Sequence, residues 1–295
     1  MISNKRYAII GSFHYHLECI GFLQHLLGIV GVYVNQDNFK YIEYFQTLYD
    51  FKSYNISSFD SSNYDCIIKL SSDDNCLNMI KTEDTHKVIS LLHLSGLERG
   101  SKNLIKLSHL ITSQETCEYI FPYYKTKNTG IFEKKTIMYV GFFDTWQVTS
   151  DLITFIKESN YKFYFCLNTE TEGSKKLKSM KNVIVFYNLS TQDLNTVLQN
   201  ATFILGRIRR IYDRFTGSLS LSISNKIPII SPKKIAGSTP GILFENEYCE
   251  VLNYVKNMSQ EEYNNILETI NDYINVSEEE NKKHFQILLD NIVPK

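Results

Sequence analysis

No GxGxxG occurs in this chain of 295 residues. The first strand-like run, Tyr7 to Ile10, ends at a lone Gly11, so the fingerprint of a nicotinamide dinucleotide site is missing and an ordinary nicotinamide oxidoreductase is disfavoured. No apolar run approaches the roughly 18 residues of a membrane span, and MISNKRYAIIGSFHYH has no sustained apolar stretch before a cleavage site. These absences predict a soluble, cytoplasmic protein with no membrane span. An excess of one charge is lacking too: 31 basic residues against 32 acidic ones leave a formal net charge of −1, which does not indicate nucleic-acid binding driven by phosphate neutralisation. The six cysteines form no CxxC pair and no Cys/His cluster at zinc-ligand spacing, so they read as reduced core residues. The one Asp-Asp pair, Asp73 and Asp74 in SSDDN, falls in an expected loop, and no metal ligands are predicted.

What is present is a foldable chain. A hydrophobic content of 43% with 13% aromatics suffices for two packed cores, and the length suggests about two domains. Short apolar runs alternate with helical patterns. Tyr7 to Ile10 is followed by LECIGFLQHLL, which places Leu17, Ile20, Leu23, Leu26 and Leu27 on one face; further strands are expected at Val30 to Val34, Cys66 to Leu70, Val88 to Leu94 and Leu110 to Thr112, with a helix over Phe39 to Tyr49. The polar stretch KTKNTGIFEKK marks a boundary, after which the pattern repeats: strands at Ile137 to Val140, Phe163 to Leu167 and Val183 to Phe186, helices at Val148 to Glu158 and Thr191 to Asn200, and a Lys-rich segment SKKLKSMKN between. The expected organisation is α/β, with Rossmann-like domains over 1–125 and 126–275 facing each other and C-terminal helices, of which 276–295 packs back on the first domain. Ser259 is expected to cap a helix through Glu262, and the charge run Glu278 to Lys283 to form a solvated face. The richness in Asn, Ile, Lys and Tyr is the usage of an AT-rich genome, such as that of a protist or a large virus.

The organising stretch is ATFILGRIRRIYDRFTGSLSLSISNKIPIIS, residues 201–231. Phe203 to Leu205 and Ile227 to Ile230 have the character of buried parallel strands, which require a crossover between them. Leu219, Leu221 and Ile223 alternate with serines, the period of a half-buried strand, yet the topology calls for a helix there, with Thr216 able to cap and Gly217 able to admit a ligand to the backbone. Such a helix directs its first N–H groups out of the sheet edge, where an anion is favoured and Arg207, Arg209 and Arg210 stand nearby in sequence. A diphosphate suits that place; a solvated basic loop is the plainer reading.

KNVIVFYNLSTQDLNTVLQNATFILG followed by GSLSLSISNKIPIIS resembles the donor half of GT-B glycosyltransferases, across roughly Thr136 to Phe244. The first run is similar to the family's strand, base-binding turn, helix and following strand, and the second to its phosphate helix and closing strand. The resemblance implies a nucleoside-diphosphate sugar as co-substrate, a glycan, protein or small hydroxyl acceptor, no cofactor and no metal. By the same resemblance Tyr187, Asn188 and Leu189 lie against the base, an ordinary βα turn being the plainer reading of them, while Arg207, Arg209, Arg210, Thr216, Gly217 and Ser218 hold the diphosphate. Asp213 and Leu221 stand where retaining members of the family-4-like group carry two glutamates, so the second carboxylate is missing, and GFFDTWQ lacks the usual Arg and Lys.

An acceptor hydroxyl needs a base if the anomeric centre inverts, and an imidazole titrates in the right range. His14 and His16, in the loop after the first strand, are the catalytic candidates, with Glu18 acting in their place or orienting them; loop histidines are otherwise ordinary surface residues. His93 reads as a satisfied buried histidine. The departures keep open a catalytically silent GT-B-like protein that binds a nucleotide or glycan, and a sugar-nucleotide 2-epimerase on the same scaffold.

Overall fold

The computed structural model describes residues 5–13, 17–28, 31–72, 75–94, 96, 102–108, 110–111, 117–206 and 216–292. The chain divides into two compact units, one comprising residues up to Lys125 together with those from Val276 onward, the other running between Thr126 and Asn275.

In the first unit the order is β1 (Tyr7–Gly11), α1 (Glu18–Leu27), β2 (Gly31–Val34), α2 (Phe39–Leu48), β3 (Lys52–Asn55), β4 (Cys66–Lys69), β5 (Val88–Leu92) and β6 (Leu104–Lys106). All pairings are parallel, in the order β3-β2-β1-β4-β5-β6. Every residue of β1, β4 and β5 is buried, which explains their near-continuous apolar sequence.

Two sequence expectations fail here. The last strand is β6, not Leu110 to Thr112: Leu110 and Ile111 follow as a turn and a bend, while Thr112 lies outside the described residues. The strand β3, KSYN, was not expected, because it is an edge strand exposed at alternate residues and so lacks an apolar run.

The second unit repeats the plan with β7 (Thr136–Gly141), α3 (Ser150–Glu158), β8 (Lys162–Leu167), α4 (Glu172–Lys178), β9 (Val183–Tyr187), α5 (Thr191–Leu198), β10 (Phe203–Leu205), α6 (Gly217–Ser224), β11 (Ile229–Pro232), α7 (Lys233–Ala236) and β12 (Gly241–Phe244). Its order, β12-β11-β10-β7-β8-β9, is the order of the first sheet when counted from β7. Both sheets therefore reverse direction beside their first strand, at β1/β4 and at β7/β10, the place where open α/β sheets bind ligands beyond their carboxyl ends. The core of this unit is aromatic: Tyr139 stacks on Phe165 with centroids 5.6 Å apart, and Phe143 meets Phe165 edge-on at 5.1 Å. The Lys-rich segment forms α4, since Thr171 caps it: its hydroxyl accepts from Ser174 N and its own N–H donates to the Ser174 hydroxyl.

The alternating stretch Ser218 to Ser224 is helical, as the topology required. Every one of those residues is buried, so the helix has no polar face to impose a 3.6-residue period, and the serine and leucine alternation says nothing about its conformation. Ser222 donates to Ile227 O at 2.6 Å and the Asn225 amide to Leu221 O at 2.9 Å, closing the end of the helix against β11.

The closing helices are α8 (Leu252–Asn257) and α9 (Gln260–Ile292). Ser259 and Glu262 cap α9 reciprocally, as expected from their spacing: Glu262 N donates to Ser259 Oγ at 3.2 Å and Ser259 N to Glu262 Oε2 at 2.7 Å. The start of α9 belongs to the second unit, where Tyr263 donates to Thr202 O, and its end belongs to the first, where Asn281 and Phe285 are buried. The run Glu278 to Lys283 is consequently not a uniformly solvated face. Glu278 is half-buried, accepting from Tyr123 Oη at 3.2 Å and Lys282 Nζ at 2.9 Å, and the charged pattern concealed this inward side.

Candidate functional site

At the carboxyl edge of the second sheet lie the loops leaving β7, β8 and β9 and the exit of β10, with the sheet's reversal at β7/β10. The loop after β7 is the most firmly held. Gly141 ends the strand at φ +122°, a conformation that side chains rarely adopt. Tyr139 Oη donates to Phe142 O at 2.6 Å and accepts from Gln147 Nε2 at 2.9 Å; Asp144 N donates to Gln147 Oε1 at 2.8 Å; Thr171 Oγ1 donates to Phe143 O at 2.6 Å. At Gly173, in the first turn of α4, an added Cβ would collide with the Asp144 backbone. This bracing turns Phe143 into the core and leaves Phe142 and Trp146 exposed by 45% and 38%. Nothing in the run GFFDTWQ distinguishes these two exposed rings from core aromatics; the Asp144-x-x-Gln147 capping spacing is its sign of a rigid loop.

Across the reversal, β10 leads to Gly206, whose N–H donates to Ile230 O at 2.8 Å and whose carbonyl accepts from Tyr248 Oη at 2.6 Å. Burial holds the Tyr248 phenol well above its usual pKa, which keeps it a donor. Arg207, Arg209, Arg210 and Asp213 lie outside the described residues. The chain re-enters at Thr216, the N-cap of α6, and α6 packs on β7, β10 and β11. Among the described residues no side chain caps the first N–H groups of α6; the Thr216 hydroxyl lies 3.2 Å from that of Ser218. The helix carries no ionisable side chain, so what it offers at that end is backbone donors and two hydroxyls.

The turn Tyr187 to Leu189 leaves β9 on the same edge, three strand spacings from β10, roughly 14 Å. Asn188 adopts φ +51° and its N–H donates to Leu167 O at 2.8 Å. The Tyr187 hydroxyl lies 3.0 Å from Ser174 Oγ and 3.5 Å from Glu170 Oε1. Ser190 caps α5 by accepting from Asp193 N at 3.0 Å, which fixes where the turn ends. Tyr187, Asn188, Leu189, Thr216, Gly217 and Ser218 thus share one sheet edge.

In the first unit, His14 and His16 lie outside the described residues, and Glu18 is the first residue of α1. His93 is buried, with Nε2 2.6 Å from Leu70 O. Lys69 at the end of β4 is almost wholly buried and donates to Ser72 O at 2.9 Å; nothing in its sequence context signalled it.

A hollow of about 1050 Å³ in the second unit lies at the opposite, amino edge of the sheet, lined by Lys157, Lys162 and Lys181 among others. Lys157 is in the last turn of α3, where the helix dipole already favours a cation, so this charge has a structural reason to be there. Among the described residues no group of three or more His, Cys, Asp or Glu side chains could hold a metal ion, and no helix is long and apolar enough to cross a membrane.

No protein-family model matches the sequence, and no curated protein matches it. Solved structures do match the fold. AviGT4, a glycosyltransferase involved in avilamycin A biosynthesis, superposes with a TM-score of 0.60 at 8% identity over 96% of this chain and 98% of its own. Arabidopsis thaliana UGT89C1 gives 0.57 at 11% identity over 99% and 100%, and has also been solved with UDP and with quercetin. A variant of T4 phage BGT, solved with UDP-glucose, gives 0.56 at 11% identity over 98% and 100%. With its two parallel six-stranded sheets of identical strand order, the chain has the fold of the GT-B glycosyltransferases in a divergent form.

Proposed function

We propose that the protein is a glycosyltransferase that moves a sugar from a nucleoside diphosphate to a hydroxyl acceptor, a glycan, a protein or a small molecule, without a bound metal. The observation carrying this reading is α6, whose start, capped by no side chain among the described residues, lies on the carboxyl edge next to the β7/β10 reversal. Similarity of fold to proteins solved with UDP and with UDP-glucose supports it.

In this reading the diphosphate rests against the N–H groups and hydroxyls of Thr216, Gly217 and Ser218, with Arg207, Arg209 and Arg210 supplying positive charge and the base lying against Tyr187, Asn188 and Leu189. Transfer forms a bond between the acceptor oxygen and the anomeric carbon as the bond from that carbon to the β-phosphate oxygen breaks. Charge grows on the departing diphosphate, and the same N–H groups and guanidinium groups stabilise it. For transfer with inversion, the acceptor proton passes to His14 or His16, or to Glu18.

A second reading, nucleotide binding without transfer, is favoured by one feature: α6 has no carboxylate with which to grip a sugar or ribose hydroxyl. Calorimetric titration with ADP, CDP, GDP and UDP, followed by assay of the matching sugar nucleotides for hydrolysis and transfer, separates the two. Binding with turnover supports the transferase, binding without turnover the silent protein, and no binding refutes both. Arg207→Ala and Arg210→Ala should each weaken diphosphate binding; unchanged affinity in both would place the anion elsewhere.

A further inference from the structure

The proposed donor site leaves the two rings on the loop after β7 without a role. Phe142 and Trp146 are large apolar side chains four residues apart, exposed by 45% and 38%, in a loop whose backbone is pinned by Tyr139, Gln147 and Thr171. Single exposed aromatics are common on protein surfaces. Two on one braced loop, at the ligand-binding edge of the sheet, are a different arrangement. The loop leaves β7 one strand from β10, whose exit leads to α6, and two strands from β9, whose exit carries the Tyr187 turn. A molecule stretched from the start of α6 to that turn passes the β7 loop, and the part of a nucleoside diphosphate between its phosphates and the far edge of its base is the nucleoside.

Resting on the donor-site reading above, we propose that Phe142 and Trp146 form a stacking platform for the nucleoside half of the bound nucleotide. The chemistry agrees with the placement. Aromatic faces bind planar bases without regard to hydrogen-bonding pattern, and a platform held rigid before binding loses little side-chain freedom when the ligand arrives. In this arrangement the α6 end supplies hydrogen bonds while the β7 loop supplies apolar contact, so affinity should be divided between the diphosphate and the nucleoside.

Trp146 is the sole tryptophan of the chain, so its fluorescence reports on this loop alone. Wild-type protein is titrated with ADP, CDP, GDP, UDP and inorganic pyrophosphate, following absorbance-corrected fluorescence and calorimetric heat in parallel. The expected result is that the preferred nucleoside diphosphate changes Trp146 emission and pyrophosphate does not. Trp146→Ala and Phe142→Ala should each weaken that nucleotide roughly 5- to 100-fold while leaving pyrophosphate affinity unchanged, and Trp146→Phe, which keeps a ring, should retain most of the affinity. Nucleotide binding detected by heat with silent fluorescence, or with unaltered affinity in a folded Trp146→Ala variant, overturns the platform and leaves the donor site standing. Pyrophosphate binding as tightly as the nucleotide overturns it equally. Absence of heat with all four nucleotides overturns the donor-site reading and the platform with it.

Discussion

Asn281 and Phe121 exchange two hydrogen bonds: Phe121 N donates to Asn281 Oδ1 at 2.8 Å, and Asn281 Nδ2 donates to Phe121 O at 2.8 Å. A carboxamide can satisfy both backbone groups of one residue at once, and here it does so from a helix, in a buried setting. Removing it by Asn281→Ala leaves a buried donor and a buried acceptor unpaired, at about 1–3 kcal/mol each. Asn281→Asp keeps the acceptor and loses the donor. Chemical denaturation should rank the wild type above the aspartate variant, and the aspartate variant at or above the alanine one; equal midpoints for all three would mean that water replaces the side chain.

Glu278, one turn away on α9, sets an acid limit on the first unit. The Lys282 hydrogen bond, with help from Lys125 and His25, lowers its pKa from 4.5 to about 2. A carboxyl held below its unfolded value stabilises the fold above pH 4.5, and that contribution is lost as pH falls toward 2. Burial, aided by Lys125, also lowers the pKa of His25 from 6.5, so the unfolded chain gains a proton first and stability declines with acidification from about pH 6.5 downward. Glu278→Gln should flatten the profile below pH 4.5, and His25→Asn the shallower slope above it. Thermal melts across the acid range, from neutral pH down through both windows, give the two slopes, and an unchanged acid limb in Glu278→Gln would contradict the assignment.

The β7 loop depends on one phenol. Tyr139→Phe removes the donor to Phe142 O and the acceptor for Gln147 Nε2, in a side chain that is 2% exposed. A loss of about 1–3 kcal/mol is expected, together with faster amide exchange across residues 142–149. Exchange unaltered there would show that Thr171 and Asp144 suffice to hold the loop.

Gly173→Ala tests the same loop from α4. The added methyl meets the Asp144 backbone, which cannot yield as a flexible side chain would, so the loop must shift. Destabilisation of about 1–3 kcal/mol is expected from such overpacking. A variant as stable as the wild type would mean that α4 is not packed against the loop.

For the proposed chemistry, His14→Ala and His16→Ala separate the roles of the two histidines. The base should lower kcat with little change in donor affinity, since it acts on the acceptor proton. Parallel loss of donor binding would assign that histidine to the donor instead.

Much of the plan was legible in the sequence. Buried parallel strands are continuous apolar runs wherever they occur, so β1, β4, β5, β7 and β8 stand out unaided. The cap at Ser259 was legible because it is a contact between residues three apart, which local spacing determines. Tertiary structure alone decided the rest. The edge strand β3 is polar because one side of it meets solvent, and α6 has no helical period because it is buried on every side; in both, the surroundings and not the segment determine the pattern. Glu278 and Phe142 illustrate the converse, a charge drawn inward and a ring turned outward. The inward turn of Glu278 follows from a partner 155 residues away, Tyr123, and the bracing behind Phe142 includes Thr171, 28 residues from Phe143; no window of sequence reveals whether such partners will arrive.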